Sequence, residues 1–133
     1  MAAMDKAEAK TQVTAALQRL GMLVSRKDPA VLGEFAADAD VLLVGSASGE
    51  VVEGPHGLRE FFQKVFRAPA NVGWEWRKVR ITSEGNVAWL FAEGEVVIVT
   101  GATPQRRPYR LTGVLQRQGK RWLWKLFHGS EPT

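Results

Sequence analysis

Two stretches, Asn86-Val-Ala-Trp-Leu-Phe-Ala-Glu-Gly-Glu-Val-Val-Ile-Val99 and Leu111-Thr-Gly-Val-Leu-Gln-Arg-Gln-Gly-Lys-Arg-Trp-Leu-Trp-Lys-Leu-Phe127, decide how this chain folds. From Val72 onward the apolar spacing has a period of two. Turn signals at Glu84-Gly85-Asn86, Gly101 to Pro104 and Gln118-Gly119-Lys120 cut the region into four strands, predicting an antiparallel meander. Apolar residues occupy both parities: Trp89 and Phe91 on one side, Leu90, Val97 and Val99 on the other. A sheet with one wet face would alternate cleanly. The pattern therefore predicts that both faces are covered, the convex one by a second copy of the chain in a homodimer. Gly94 and Gly113 inside strands suit bulges in a strongly bent sheet, or close contacts.

Upstream the period is helical. Asp5 followed by Glu8 resembles a capping box, and Val13, Leu17, Leu20 and Val24 share one face, predicting a helix from about Asp5 to Arg26. Asp28-Pro29 caps and starts a second, short helix that buries Leu32 and Phe35. Asp40 to Gly45 and Glu50 to Glu53 read as a hairpin around Ser46-Ala47-Ser48-Gly49. Gly54-Pro55 opens a third helix with Leu58, Phe61, Phe62, Val65 and Phe66 on its apolar face, and Ala68-Pro69 ends it. Three N-terminal helices followed by a sheet give an α+β class and a single domain over residues 1–133.

Composition removes several functions. With 133 residues the chain can bury a core unaided. It has no cysteine, so disulfides, thiolate metal sites and cysteine nucleophiles are excluded. Two histidines so far apart, without alternating acids or an H-E-x-x-H pattern, predict no metal site. Gly45-Ser-Ala-Ser-Gly49 centres on Ala47 and is no nucleophile elbow. Phosphate-cradling glycine motifs are absent, and no cofactor is expected. Apolar runs are too short for a membrane helix and the N-terminus has no signal core, so the expected location is cytoplasmic. The net charge of +4 is unevenly spread. Seven Lys or Arg lie between Arg106 and Lys125 without an acid, whereas Asp28 to Glu60 holds seven acids and Arg59 alone. Charge pairing within the fold or a dimer explains this better than a polyanion partner, since no nucleic-acid motif accompanies it.

The segment Asp28-Pro29 through Phe35-Ala-Ala-Asp-Ala-Asp40, then Glu50-Val-Val-Glu-Gly54 opening a helix, resembles the first half of SnoaL-like, NTF2-like domains. Arg110-Leu-Thr112-Gly-Val114, a short turn, Trp122, His128 and Ser130 resemble the C-terminal hairpin of SnoaL-like proteins and of the calcium/calmodulin-dependent kinase association domain. The resemblance spans nearly the whole chain. It implies a cone of three helices packed on a strongly curved, mixed and mainly antiparallel sheet, with a pocket opening between the helices and the concave face and a dimeric assembly. It leaves the function open, because such folds host isomerases, cyclases, dehydratases and non-enzymatic assembly domains alike. Ketosteroid isomerase chemistry does not carry over: its base carboxylate aligns with Leu43, its oxyanion-binding tyrosine with Leu20 and its protonated aspartate with Gly113.

A three-residue turn at Gln118–Lys120 would set Arg110 beside His128, Thr112 beside Leu126 and Val114 beside Trp124, all facing inward. A loop from Thr100 to Gln105 would set Glu95 beside Arg110 and Glu93 beside Thr112. Trp89, Glu93, Glu95, Arg110, Trp124 and His128 then form one amphipathic pocket wall. Glu93 and His128 are the candidate acid/base pair, with Arg110 stabilising anionic charge. Asp40, at the start of the first strand, could face the mouth. The structural alternatives are a surface ion pair for Glu95 and Arg110, a hydrogen-bonded strand residue for His128, and a turn cap for Asp40. The expected occupant is a small apolar or amphipathic organic molecule, met either by cofactor-independent isomerisation, cyclisation or dehydration, or by a non-catalytic binding or oligomerisation module.

Overall fold

The computed structural model describes residues 4–133. Helix α1 (Lys6–Ser25) begins where the Asp5 carboxylate accepts the Ala7 N–H at 2.9 Å. It buries Val13, Ala16, Leu17, Leu20 and Val24, so the apolar stripe read from the sequence is the face that meets the sheet. Asp28 caps the next segment in the same way, accepting from Ala30 N–H at 2.9 Å. That segment, Pro29–Glu34, is a 3-10 helix of 6 residues, a connector between α1 and the sheet that is longer than most of its kind. It buries Val31 and Glu34, and Phe35 just beyond it, while the expected Leu32 is only half-buried.

Strands β1 (Leu42–Val44) and β2 (Val51–Glu53) come next, followed by helix α2 (Gly54–Arg67) and the long strands β3 (Asn71–Glu84), β4 (Val87–Thr100), β5 (Thr103–Gln118) and β6 (Arg121–Ser130). The expected three N-terminal helices are thus corrected. One long helix leads the chain, the second is a 3-10 helix, and α2 stands between two strands, because the β1–β2 hairpin forms before it. Lys64 and Arg67 lie in the last turn of α2, where cations suit the exposed carbonyls.

The six strands form one mixed sheet in the order β2-β1-β6-β5-β4-β3. β1 runs parallel to β6, and the other neighbours are antiparallel. The second and third of the three meander turns are tighter than the sequence suggested. Thr100 pairs with Thr103 across Gly101-Ala102, and Gln118 pairs with Arg121 across Gly119-Lys120. Glu93 therefore faces Arg110 and Glu95 faces Pro108. Because this shift is of two residues, it keeps Glu93, Glu95 and Arg110 together on one face of the sheet, and that face is the outer one rather than the expected pocket wall.

The last ribbon differs more deeply. Leu115 pairs with Trp124 but Val114 pairs with Leu126, which makes Lys125 the extra residue of a β-bulge. Past the bulge the faces exchange. Trp122 and Trp124 point into the core before it, Phe127 after it, opposite Tyr109, Leu111 and Leu115 of β5. Thr112 pairs with His128 and Arg110 with Ser130, and these side chains lie on the outer face. The expectation of inward even-numbered residues holds for Trp122 and Trp124 alone. A second bulge, between Trp76 and Lys78, lies opposite Gly94, so both interior glycines accompany bulges.

Trp124 is the largest fully buried side chain. Its ring lies over Gly113, where an added Cβ would stand 2.5 Å from Cζ3. Leu90 joins Ala88, Ala92 and Val96 in the core, whereas Val97 and Val99 share the outer face with Trp89 and Phe91. The buried Glu34 carboxylate bridges Arg19 at 2.7 Å and Arg121 at 3.0 Å, fastening α1 to the final hairpin.

Candidate functional site

A cavity of about 280 Å³ opens between the helices and the inner face of the sheet. Its walls follow from the amphipathic stripes already described. α1 contributes Leu20 and Val24, α2 contributes Phe61, Phe62 and Val65, and the sheet contributes Leu43, Trp74, Val96, Ile98 and Phe127. Aromatic rings meet at tilted angles around it: Phe35 lies 5.9 Å from Phe62, and Trp74 lies 5.9 Å from both Tyr109 and Phe127. Leu20 and Leu43, aligned above with the polar groups of a steroid isomerase, indeed line the cavity as hydrocarbon.

Polar groups gather at one end, where the β1–β2 hairpin, β5 and the residues after β6 converge. Arg107 Nε donates to Glu131 Oε1 at 2.6 Å, and Ser46 Oγ donates to Glu131 Oε2 at 2.8 Å. The Glu50 carboxylate turns back to accept the Ala47 N–H at 2.9 Å. Tyr109, only 5% exposed, lies among them. Burial pushes its phenol pKa well above the ordinary value, and the negative charges of Glu131 and Glu50 push it further, while the Trp74 N–H beside it opposes the rise. That indole proximity falls short of hydrogen-bond geometry, and Trp74 Nε1 is buried without a partner among the described residues. Tyr109 is therefore a neutral hydrogen-bond donor at every physiological pH.

None of the residues singled out from the sequence lines this cavity. Glu93 and Arg110 form an ion pair at 3.3 Å on the outer face. Glu95 lies there too, 3.7 Å from Arg106, which also binds Glu75 at 2.8 Å. This pairing holds the Glu75 carboxyl below its usual range and the Arg106 guanidinium above its own. Trp89, 46% exposed, and His128 share that outer surface. Trp124 faces inward but is sealed in the core. Asp40 turns with Asp38 to the Lys125 ammonium, at 3.1 and 2.5 Å, and this contact lowers the Asp40 pKa and raises that of Lys125. The cause of the displacement is the Lys125 bulge for His128, and for Glu93, Glu95, Arg110 and Trp89 the outward parity of their positions.

Tyr109, Trp74, Glu50, Glu131 and Arg107 are the polar groups that sequence reasoning missed. One signal existed: the chain's single tyrosine begins the alternation Tyr109-Leu111-Gly113-Leu115, one inward face of β5. Among the described residues no three His, Asp or Glu side chains gather as a metal ion would require, and no helix is long and apolar enough to cross a membrane.

The architecture is shared widely. A protein of Streptomyces avermitilis provisionally named a dehydratase of the NTF2-like family superposes with a TM-score of 0.83 at 16% identity, covering 92% of this chain and 95% of its own. A protein of Novosphingobium aromaticivorans provisionally named an aromatic ring hydroxylase gives 0.83 at 21% identity, covering 98% and 93%. A calcium/calmodulin-dependent kinase association domain, also provisionally named, from Thiobacillus denitrificans gives 0.76 at 15% identity over 90% and 94%. At such identities the likeness establishes the α+β cone fold alone. No curated protein matches the sequence. The sequence model of the SnoaL-like domain matches residues 13–133. On that match, together with the fold, the chain belongs to the SnoaL-like family of NTF2-like domains.

Proposed function

We propose that the cavity binds a small, largely apolar organic molecule and that Tyr109 and Glu50 exchange a proton with its polar end. The observation that carries this reading is the segregation of the cavity: hydrocarbon and aromatic walls, with every titratable group at one end. A neutral phenol beside a carboxylate supplies both a donor and an acceptor without a cofactor, as isomerisation, cyclisation or dehydration requires. The roles first assigned to His128 and Glu93 pass to these two residues. The provisional names of two structural neighbours, a dehydratase and an aromatic ring hydroxylase, accord with chemistry on small organic molecules.

Titration with naphthalene, followed by tryptophan quenching, tests the binding. Saturable quenching is expected, and its loss in Val65→Phe, which fills the cavity from α2 while the circular dichroism is retained. Absence of saturable quenching in the unaltered chain would overturn the reading.

A second reading, of an oligomerisation module, draws on the outer sheet face. There Trp89 is exposed beside outward-facing Phe91, Val114 and Leu126, an apolar strip suited to a second copy of the chain. Sedimentation of Trp89→Asp against the parent decides it: a dimer that dissociates in the variant supports the reading, and a monomeric parent sinks it. A polyanion partner is disfavoured, because Arg106, Arg107 and Arg110 are each paired with carboxylates.

A further inference from the structure

The polar corner of the cavity specifies more than polarity. Among the described residues Trp74 Nε1–H is buried with no hydrogen-bond partner, a condition that folded proteins avoid unless something else satisfies the donor. Its indole lies beside the Tyr109 ring, and its N–H is near enough to the Tyr109 hydroxyl to favour the phenolate. The hydroxyl nevertheless keeps its proton, because burial and two carboxylates outweigh that contact. Two donors thus lie side by side, and among the described residues the indole N–H has no acceptor. A carbonyl oxygen, with two lone pairs in one plane, answers two donors at once.

Charge narrows the choice. Glu131 is neutralised by Arg107 at 2.6 Å, but the Glu50 carboxylate faces the same end with a single backbone N–H as its partner. The corner is therefore net negative, and an anionic headgroup would be desolvated against a like charge. The volume, about 280 Å³, lies at the low end for ligand pockets and suits one or two rings.

We propose that the cavity selects a neutral aromatic or alicyclic ketone or aldehyde of one or two rings, its carbonyl oxygen seated on the Trp74 Nε1–H and the Tyr109 hydroxyl. This rests on the reading of the cavity as a binding site, and it makes Trp74 a specificity-determining residue.

Calorimetric titration of the full chain with acetophenone, ethylbenzene and benzoate tests it, together with the infrared carbonyl stretch of isotope-labelled acetophenone in the complex. Acetophenone is expected to bind about tenfold more tightly than ethylbenzene, and benzoate more weakly than either. The bound carbonyl stretch should fall to lower frequency than in hexane, and part of that fall should vanish in Trp74→Phe and in Tyr109→Phe. Equal binding of acetophenone and ethylbenzene, or an unshifted carbonyl, overturns the carbonyl assignment and leaves the cavity a plain apolar site. Binding of none of the three overturns the parent reading instead.

Discussion

The hydroxyl of Tyr109 occupies the space in which a side chain at position 129 would stand. A Cβ on Gly129 would lie 2.5 Å from Tyr109 Cζ and closer still to the hydroxyl oxygen. Gly129→Ala should therefore swing the phenol out of the polar corner. Overpacking of this kind costs about 1–3 kcal/mol, to be read from urea denaturation. Acetophenone affinity should fall to the level of the Tyr109→Phe variant. A Gly129→Ala protein with unchanged stability and affinity would show that the tyrosine does not depend on this contact.

Tyr109 also gives the stability a dependence on alkaline pH. Its pKa is raised in the folded chain, so below the ordinary value near 10 the phenol is protonated in both states. Above that value the unfolded chain ionises while the folded one holds its proton. Stability should then decline as pH rises, by up to about 1.4 kcal/mol per unit from this group. Denaturation of the parent against Tyr109→Phe above pH 10 isolates the effect, the variant having the flatter profile. Because the chain has one tyrosine, the tyrosinate absorbance band reports this group alone and should appear only near unfolding.

Trp124 should show an unusual tolerance. The side chain is wholly buried, and its removal in Trp124→Ala should cost about 3–5 kcal/mol. Its Nε1 has no partner among the described residues, so Trp124→Phe abandons no hydrogen bond seen there and should keep most of that stability. Equal losses in the two variants, measured by urea denaturation, would show that the indole nitrogen is bound after all.

On the outer face, His128→Ala and Glu93→Gln should leave acetophenone affinity unaltered and stability within about 0.5 kcal/mol of the parent. Both side chains are separated from the cavity by the sheet itself. A loss of affinity in either variant would restore them to the site.

Much of the fold was legible because its signals are local. Asp5, Asp28 and Gly54-Pro55 mark helix starts within one turn of where they occur, and period-two spacing exposed all four long strands. The 3-10 winding of Pro29–Glu34 was not legible, since 6 residues are too few for a period of about 3.0 to be told from about 3.6, and the face it buries carries Val31 rather than the expected Leu32. The site was less accessible. Turn length fixes register, and Gly101-Ala102 and Gly119-Lys120 close tighter turns than Gly101-to-Pro104 and Gln118-to-Lys120 suggested. Glu50 and Glu131 reach the cavity from a hairpin loop and from beyond the last strand, where no periodicity assigns a direction.

One inserted residue separates two linings of this domain. Lys125 sits in its bulge as a frame marker: on one side of it even positions belong to the interior, on the other odd ones. Were Lys125 drawn into a regular ladder instead, strict alternation would turn Leu126 and His128 towards the helices and expel Phe127, exchanging an aromatic wall for an imidazole; deleting Lys125 would close the bulge and leave the faces as they are. Absorbing or releasing one bulged residue, rather than a series of point changes, is thus the shortest route by which such a barrel stave acquires a different interior chemistry.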